Sequence, residues 1–146
     1  MTVEEKANAL QALERELTEW VEANWPRDGW QRIVFGEGDA DARLMFIGEG
    51  PGAEEDAQGR PFVGRAGQLL DKQIAAMQLQ REQVYIANIA KVRPPGNRVP
   101  TPEEAEHWLP WLNRQIEITV PEVIVTLGAT SAKYLLDEPK FAITKQ

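Results

Sequence analysis

The residues best suited to chemistry lie in one glycine-rich loop, between Gly48 and Asp71. An apolar run at residues 44–47, typical of a buried strand, comes before it, and a helical pattern begins near Gly64. A strand, a loop and a helix in that order place a pocket at the carboxyl end of a parallel sheet. The loop also contains one aromatic residue, Phe62. Its first twelve residues hold four glycines and four acids, namely Gly48, Gly50, Gly52, Gly59, Glu49, Glu54, Glu55 and Asp56.

The composition of this loop limits the ligands that it can take. Glycines let a ligand approach the backbone closely, but carboxylates are unsuited to direct contact with a phosphate. The loop also lacks the GxxxxGK[ST] and GxGxxG patterns of phosphate-binding loops. A nucleotide-phosphate site is therefore disfavoured. On composition alone, a pocket for another ligand and a glycine-rich surface turn both remain open.

The charge of the chain is unevenly distributed. The net charge of −7 is unfavourable for nonspecific binding to DNA. However, residues 59–98 carry a net charge of +5, whereas residues 1–58 carry −9 and residues 99–146 carry −3. A basic segment that flanks a pocket is typical of a nucleic-acid site. The alternative is chance clustering of these charges on a solvated helix face.

The elements that position the loop indicate an α/β fold. We predict one domain over residues 1–146, with an N-terminal helix and loop at 1–30 and an α/β core at 31–146. Alternating strands and helices predict a three-layer α/β/α sandwich with a central parallel sheet. The predicted strands cover residues 33–35, 43–48, 84–89 and 123–127, and the predicted helices cover residues 3–23, 66–78 and 130–136 together with one that begins at 101.

Three of the helices have clear sequence patterns. The helix at residues 3–23 places apolar side chains at three- and four-residue steps, with glutamates on the opposite face. Another begins with a capping box formed by Thr101 and Glu104, with Pro102 at its first position. The helix after the glycine-rich loop is predicted to face the core through Leu69, Leu70, Ile74 and Met77.

Composition excludes some classes of protein. The chain has no apolar run of 18 residues, and its charged N-terminus lacks the apolar region of a signal peptide. It has no cysteine, so it can form no disulfide, and its redox compartment cannot be inferred. We expect no membrane association, and a cytoplasmic location is the default.

Five longer segments carry a family resemblance. They read GEGPGAEEDAQGRPFVGRAGQLLD, VFGEGDADARLMFIGEGPG, VYIANIAKVRPPGNRVPTPEE, PEVIVTLGA and a final ITK. In their order and spacing along the chain they resemble the family 4, iron–sulfur uracil-DNA glycosylases, over about residues 32–145. The resemblance implies the same three-layer fold. It also implies a protein that hydrolyses, or at least recognises, uracil flipped out of single- or double-stranded DNA during base excision repair.

The resemblance also implies roles for individual residues. Glu49 and Gly50 match the catalytic, water-positioning segment, and Glu55 lies in the wall of the uracil pocket. Phe62 matches the aromatic residue that stacks on the base, and Asn88 matches the amide that reads uracil. Taken singly, Glu49 could be a solvated acid, Phe62 a loop anchor and Asn88 a strand-terminal cap. The basic residues expected to contact the nucleic-acid backbone are Arg60, Arg65, Lys91, Arg93 and Arg98.

The chain departs from the family at the iron–sulfur site. The resemblance places two cluster ligands within residues 21–25, one at Val92 and one at His107 or Trp108, and no thiolate stands at any of them. Thiolates are the ligands that such a cluster requires. We therefore expect no metal and no cofactor. A tryptophan-rich apolar plug should fill the space, with Val92 buried against Trp108 and at least one of Trp25 or Trp30.

The second departure lies at the C-terminus. The chain ends at Gln146, before the His-Pro segment that the family uses to contact uracil, which implies a truncated homologue without the last strand. His107 lies outside any His-Pro sequence and is interpreted as a structural helix residue. With the family's strand order 2-1-3-4, the strand at 123–127 should then form an edge. We expect a homodimer or partner chain there, or coverage by residues 141–146.

These departures leave two functional hypotheses. Loss of an electrostatic donor typically lowers a catalytic rate by about 10²–10³, so efficient catalysis is not expected. The leading hypothesis is a uracil-DNA glycosylase-like protein. The alternative is a catalytically inactive homologue that acts as a protein-interaction or base-binding module.

Overall fold

The central layer of the fold is a mostly parallel sheet. The computed structural model describes residues 1–136 and 143–145. Its strands are β1 (Glu37–Gly38), β2 (Leu44–Gly48), β3 (Tyr85–Asn88), β4 (Val123–Thr126) and β5 (Ile143–Lys145), in the order β1-β3-β2-β4-β5. β2 pairs in parallel with both β3 and β4, whereas β1 pairs antiparallel to β3. The carboxyl ends of β2, β3 and β4 therefore meet at one edge of the sheet.

Five α-helices flank this sheet in the described part of the chain. They are α1 (Val3–Asn24), α2 (Ala53–Gln58), α3 (Arg65–Ala76), α4 (Pro102–Thr119) and α5 (Ala129–Leu136). Capping boxes begin α1 at Thr2 and α4 at Thr101, where the side-chain oxygen of each threonine accepts a backbone hydrogen bond. Within the described part of the chain, no helix is both long and apolar enough to cross a membrane.

Two apolar cores occupy the two faces of the sheet. Met45 and Ile47 of β2 belong to a core that includes α1 and α4. Phe46, between them, belongs to a second core with Leu70 and Ile74 of α3. Successive residues of a strand point to opposite faces, so β2 is buried on both sides. The predicted three-layer α/β/α fold is confirmed.

The structure corrects two local predictions. Residues 33–35 form no strand. Val34 donates one backbone hydrogen bond to Lys91 O (2.8 Å), and the strand in this region is β1. Leu69 of α3 and Met77, which directly follows α3, are 59% and 41% exposed rather than buried. The buried positions are Gly67, Leu70 and Ile74, at steps of three and four residues.

The prediction of an open edge at β4 was wrong. The family's strand order holds for the central strands β3, β2 and β4, but β4 also pairs in parallel with β5, from Ile124↔Ile143 to Thr126↔Lys145. Coverage of this edge by the C-terminal tail is thus confirmed for Ile143–Lys145. Residues 141, 142 and 146 of that tail lie outside the described residues. In the described structure, β4 has no free edge for a homodimer or partner chain.

The tryptophans pack between α1 and α4. Trp108 is 1% exposed, and its ring centroid lies 4.3 Å from that of Trp25 and 5.9 Å from that of Trp20. Val92 is 3% exposed and shares the buried core with Trp108 and Trp30. The predicted packing of Val92 with the tryptophans is confirmed. It joins α1, α4 and the proline-rich loop at residues 91–100 into one unit.

This packing makes Trp108 a strong determinant of stability. Replacing Trp108 with alanine should lower the free energy of unfolding by about 3–5 kcal/mol, because a large cavity would replace a fully buried ring. Trp111→Ala, which removes a partly buried indole from the same helix, serves as the control. Urea unfolding measures the stability of both variants. An equal loss of stability in Trp108→Ala and Trp111→Ala would contradict the assignment.

Candidate base-binding pocket

The candidate site lies where the loops after β2, β3 and β4 meet. The backbone ties these loops together directly. Ile89 N donates to Gly48 O (3.0 Å), Ala90 N donates to Glu49 O (3.0 Å), and Leu127 N donates to Ile47 O (2.8 Å). These bonds continue the parallel ladders beyond the ends of the strands, so the beginning of the glycine-rich loop is a rigid extension of β2.

Gly48 brings Phe62 and Asn88 to the same place. A methyl group on Gly48 would overlap both the Oδ1 atom of Asn88 and the ring of Phe62. Any other residue would therefore push the amide or the ring away. Gly48 is also paired in register with Asn88 across β2 and β3. The two residues predicted to stack on and to read a base thus lie around one small space.

Asn88 presents an unpaired acceptor to this space. Its side chain is 2% exposed, and its Oδ1 atom is buried without a hydrogen-bond partner in the described part of the chain. A buried polar atom left unsatisfied costs about 1–3 kcal/mol. Such exceptions in a folded protein call for an explanation, and a ligand N–H group would provide one.

Glu55 uses its carboxylate to shape the loop. Its Oε1 atom accepts from Gly52 N (3.0 Å), and its Oε2 atom accepts from Val63 N (2.9 Å) and Gly64 N (2.8 Å). Burial alone would raise the pKa of Glu55, but these backbone donors outweigh that effect and hold its pKa below the usual value. Both oxygens of Glu55, which was predicted to lie in the pocket wall, are thus occupied by the backbone of the loop.

Glu49 and Gly50 follow Gly48 directly in the glycine-rich loop. The Oε1 atom of Glu49 accepts from Thr130 N (3.2 Å) near the N-terminus of α5, where a carboxylate is favoured electrostatically. Gly128 has a φ of +113°, and a side chain there would collide with the Glu49 carboxylate. A methyl group on Gly50 would lie 3.3 Å from both Ala90 Cβ and Pro94 Cδ. This part of the loop is therefore tightly packed at both Glu49 and Gly50.

The prediction that Lys91 contacts a nucleic-acid backbone is corrected by its burial. Its side chain is 0% exposed and so cannot reach a phosphate in this structure. Its Nζ atom donates to Asn88 O (2.7 Å), Gln115 Oε1 (2.6 Å) and Phe35 O (3.2 Å). Burial lowers the pKa of Lys91 from 10.5 to about 7. Lys91 instead joins the end of β3 to α4 and to the segment before β1.

The other four residues predicted to contact a nucleic-acid backbone are arginines that lie nearer the protein surface. Arg60 donates to both oxygens of Glu37 (2.8 Å each), and Arg98 donates to both oxygens of Glu104 (2.5 and 2.9 Å). The pKa of Glu104 is lowered to about 2, chiefly by Arg98. By contrast, Arg65 is exposed, and Arg93 bonds to the amide oxygen of Asn97 (2.6 Å). Neither Arg65 nor Arg93 pairs with a carboxylate among the described residues.

The residues at the expected cluster positions do not fit an iron–sulfur cluster. Val92, Trp108 and Val21 are buried and have no donor atom for iron. His107 is exposed on α4, and its ring lies 6.0 Å from that of Trp20 and 5.8 Å from that of Trp25. Across residues 1–136 and 143–145, no group of three or more potential metal ligands occurs. Thiolates are what such clusters require, and the chain has none.

One residue of the site was not predicted from sequence. Arg81 precedes β3, and its guanidinium reaches the carbonyl oxygens of Pro61 and Phe62. The contact joins residues about twenty positions apart and follows no sequence pattern. The helix α2, inside the predicted loop, was also missed. A six-residue helix is too short to show apolar periodicity.

Comparison with known proteins identifies the family of this chain. Residues 35–145 match the model of the Uracil DNA glycosylase superfamily. The type-4 uracil-DNA glycosylase of Thermotoga maritima is 54% identical over 113 residues, which are 77% of this chain and 59% of that protein. The type-4 enzymes of Sulfurisphaera tokodaii and Archaeoglobus fulgidus are each 49% identical, over 75% and 71% of this chain and 51% and 52% of their own lengths. The chain thus spans between half and three-fifths of these relatives.

The buried Lys91 should make stability depend on pH. Between pH 7 and 10.5 the unfolded chain binds more protons at this lysine than the folded chain does. The free energy of unfolding should therefore rise with pH, relative to Lys91→Met, by at most about 1.4 kcal/mol per pH unit. Urea unfolding at several pH values in this window measures the difference.

The exposed Lys72 provides the matched control for this measurement. Lys72→Met should leave the pH dependence of the wild-type protein unchanged. Parallel pH profiles for the wild type and Lys91→Met would contradict the assignment.

Proposed function

The chain belongs to the uracil DNA glycosylase superfamily, and we propose that it recognises uracil extruded from DNA in the pocket around Gly48, Phe62 and Asn88. The observation that carries this proposal is the unpaired Oδ1 atom of Asn88 next to the Phe62 ring. An extruded base needs a flat face to stack on and a polar partner for its Watson–Crick edge. Phe62 supplies the flat face, and Asn88 supplies the polar partner.

The Oδ1 atom of Asn88 is a hydrogen-bond acceptor, which favours uracil over cytosine. At neutral pH uracil has an N–H group at N3, which can donate to the Asn88 oxygen. Cytosine has an unprotonated nitrogen at the same position, so that two acceptors would face each other. Because Asn88 is almost fully buried, water cannot relieve that mismatch. The same atom therefore serves both affinity and specificity.

Contacts to the DNA backbone are proposed for the accessible arginines. Arg65 begins α3 directly after the pocket loop, and Arg93 lies in the proline-rich loop after β3. Phosphate contacts position a protein on DNA without reading sequence. Arg60 and Arg98 can contribute where their carboxylate partners leave donors free.

Hydrolysis of the glycosidic bond is proposed as the reaction that this recognition serves. The bond between the deoxyribose C1′ and uracil N1 breaks, water attacks C1′, and uracil leaves with the bonding electron pair. The proton that the attacking water loses is finally taken up by the uracil anion. Glu49 is proposed to position that water and to stabilise positive charge on the sugar, since it lies on the loop next to Gly48. Release of free uracil from a uracil-containing oligonucleotide tests this step. A protein that binds uracil without releasing it would be a base-binding module.

Affinity for uracil should depend on Asn88. Asn88→Ala should weaken binding of a single strand with one uracil by about 1–3 kcal/mol, because it removes the partner of a buried hydrogen bond. Fluorescence anisotropy measures this effect, with a cytosine-containing strand as the ligand control. Asn8→Ala, an exposed asparagine on α1, is the protein control. Equal affinities of Asn88→Ala and wild-type protein for the uracil strand would refute the pocket.

We also propose that the chain binds no iron–sulfur cluster and that the tryptophans between α1 and α4 fill the corresponding space. Val92 and Trp108 pack there as apolar groups. Protein purified without oxygen should contain no stoichiometric iron or acid-labile sulfide and show no visible absorption band. Iron and sulfide bound in stoichiometric amounts would contradict this proposal.

A further inference from the structure

Phe62 has a backbone conformation that is unfavourable for phenylalanine. Its φ of +52° lies in the left-handed region, which is unfavourable for a residue with a side chain. The ring is nevertheless placed against Gly48 and packs on the core that contains Phe46 and Ile86. Such strain persists only where the surroundings impose it, and it concentrates at functional sites. The atoms around Phe62 should therefore show what imposes the conformation.

On one side, Arg81 binds two consecutive carbonyl groups. Its Nη1 atom donates to Phe62 O (2.8 Å), and its Nη2 atom donates to Pro61 O. The side chain is only 15% exposed, so these bonds are largely shielded from water. Two carboxylates orient the guanidinium, through bonds from Nε to Glu37 Oε2 (2.9 Å) and from Nη1 to Asp71 Oδ1 (3.0 Å).

On the other side, Glu55 binds the next two amide groups. Its Oε2 atom accepts from both Val63 N and Gly64 N. The carbonyls at and before Phe62 thus face a cation, whereas the amides after it face an anion. The first turn of α3 closes the third side, because a methyl group on Gly67 would overlap the Phe62 carbonyl.

We propose that Arg81 and Glu55 are positioning residues that hold the Phe62 ring where a base can stack on it. The inference rests on the proposed function, because it assigns the held ring to stacking on uracil. Neither residue needs to touch the base. Their effect is to keep the stacking conformation populated before the ligand arrives, so that binding does not have to select a minor state.

The forked shape of arginine is part of this role. A guanidinium offers several N–H groups in one plane and can reach two adjacent carbonyls at once, whereas a lysine ammonium is a point charge on a flexible stem. Arg81→Lys should therefore retain the charge but restore only part of the function.

Arg60 provides a matched comparison. It also pairs with Glu37, but through its own Nε and Nη2 atoms, and no hydrogen bond joins it to Pro61 O or Phe62 O in the described structure. A contact of Arg60 with the DNA backbone would strengthen binding of any strand equally. Arg60→Gln should therefore leave the ratio of uracil-strand to cytosine-strand affinity unchanged, whereas Arg81→Gln should lower that ratio about tenfold.

The experiment measures this ratio together with amide hydrogen exchange at Val63 and Gly64 in the full chain. We expect Arg81→Gln to lower the ratio and to speed exchange at both amides, and Arg60→Gln to do neither. If Arg81→Gln and Arg60→Gln behave alike in both measurements, the proposal is overturned.

Two further outcomes are decided by the same measurements. If the wild-type protein shows no preference for uracil, the proposed function fails, and the exchange rates alone decide whether Arg81 holds the loop. If Arg81→Gln does not fold, Arg81→Lys and Glu55→Gln replace it. Wild-type exchange rates at Val63 and Gly64 in both of these variants would overturn the proposal.

Discussion

The pocket depends on the close approach of three chain segments at Gly48. Two parallel strands end there side by side, and the absence of a side chain lets an amide and an aromatic ring occupy the space above the backbone. Two other sets of contacts in the site keep these three segments close together. The loops are tied by backbone bonds to the ends of β2 and β3, and the glycine-rich loop is folded back by the Glu55 carboxylate.

Four carboxylates of this acidic chain help to hold its loops in place. Glu55 and Asp56 accept backbone amides from neighbouring loops, with Asp56 binding Gln31 N (2.8 Å) and Arg32 N (3.0 Å). Glu37 and Glu104 bind arginines. These carboxylates fix loop geometry, so the net charge of the whole chain is a poor guide to the electrostatics of the pocket.

Local patterns predicted most of the fold, whereas contacts distant in sequence were beyond them. The strand before Gly48 and the capped helix at Thr101 depend on neighbouring residues, so their sequences are sufficient to identify them. The roles of Lys91 and Arg81 depend on partners 24 and 19 residues away, and a basic residue that binds carbonyls looks like one that binds phosphate. The pairing of Phe62 with Asn88 followed from the family resemblance, since neither composition nor periodicity relates the two.

The packed tryptophans between α1 and α4 also have a spectroscopic consequence. Indole rings whose centroids lie 4.3–6.0 Å apart share their excited states, so they absorb and emit as a coupled group. Val92 and Pro94, in the loop that supports Gly50, lie with Trp25 and Trp108 around one small cleft. The intrinsic emission and near-ultraviolet dichroism of this protein therefore report on the support of its pocket without an added label.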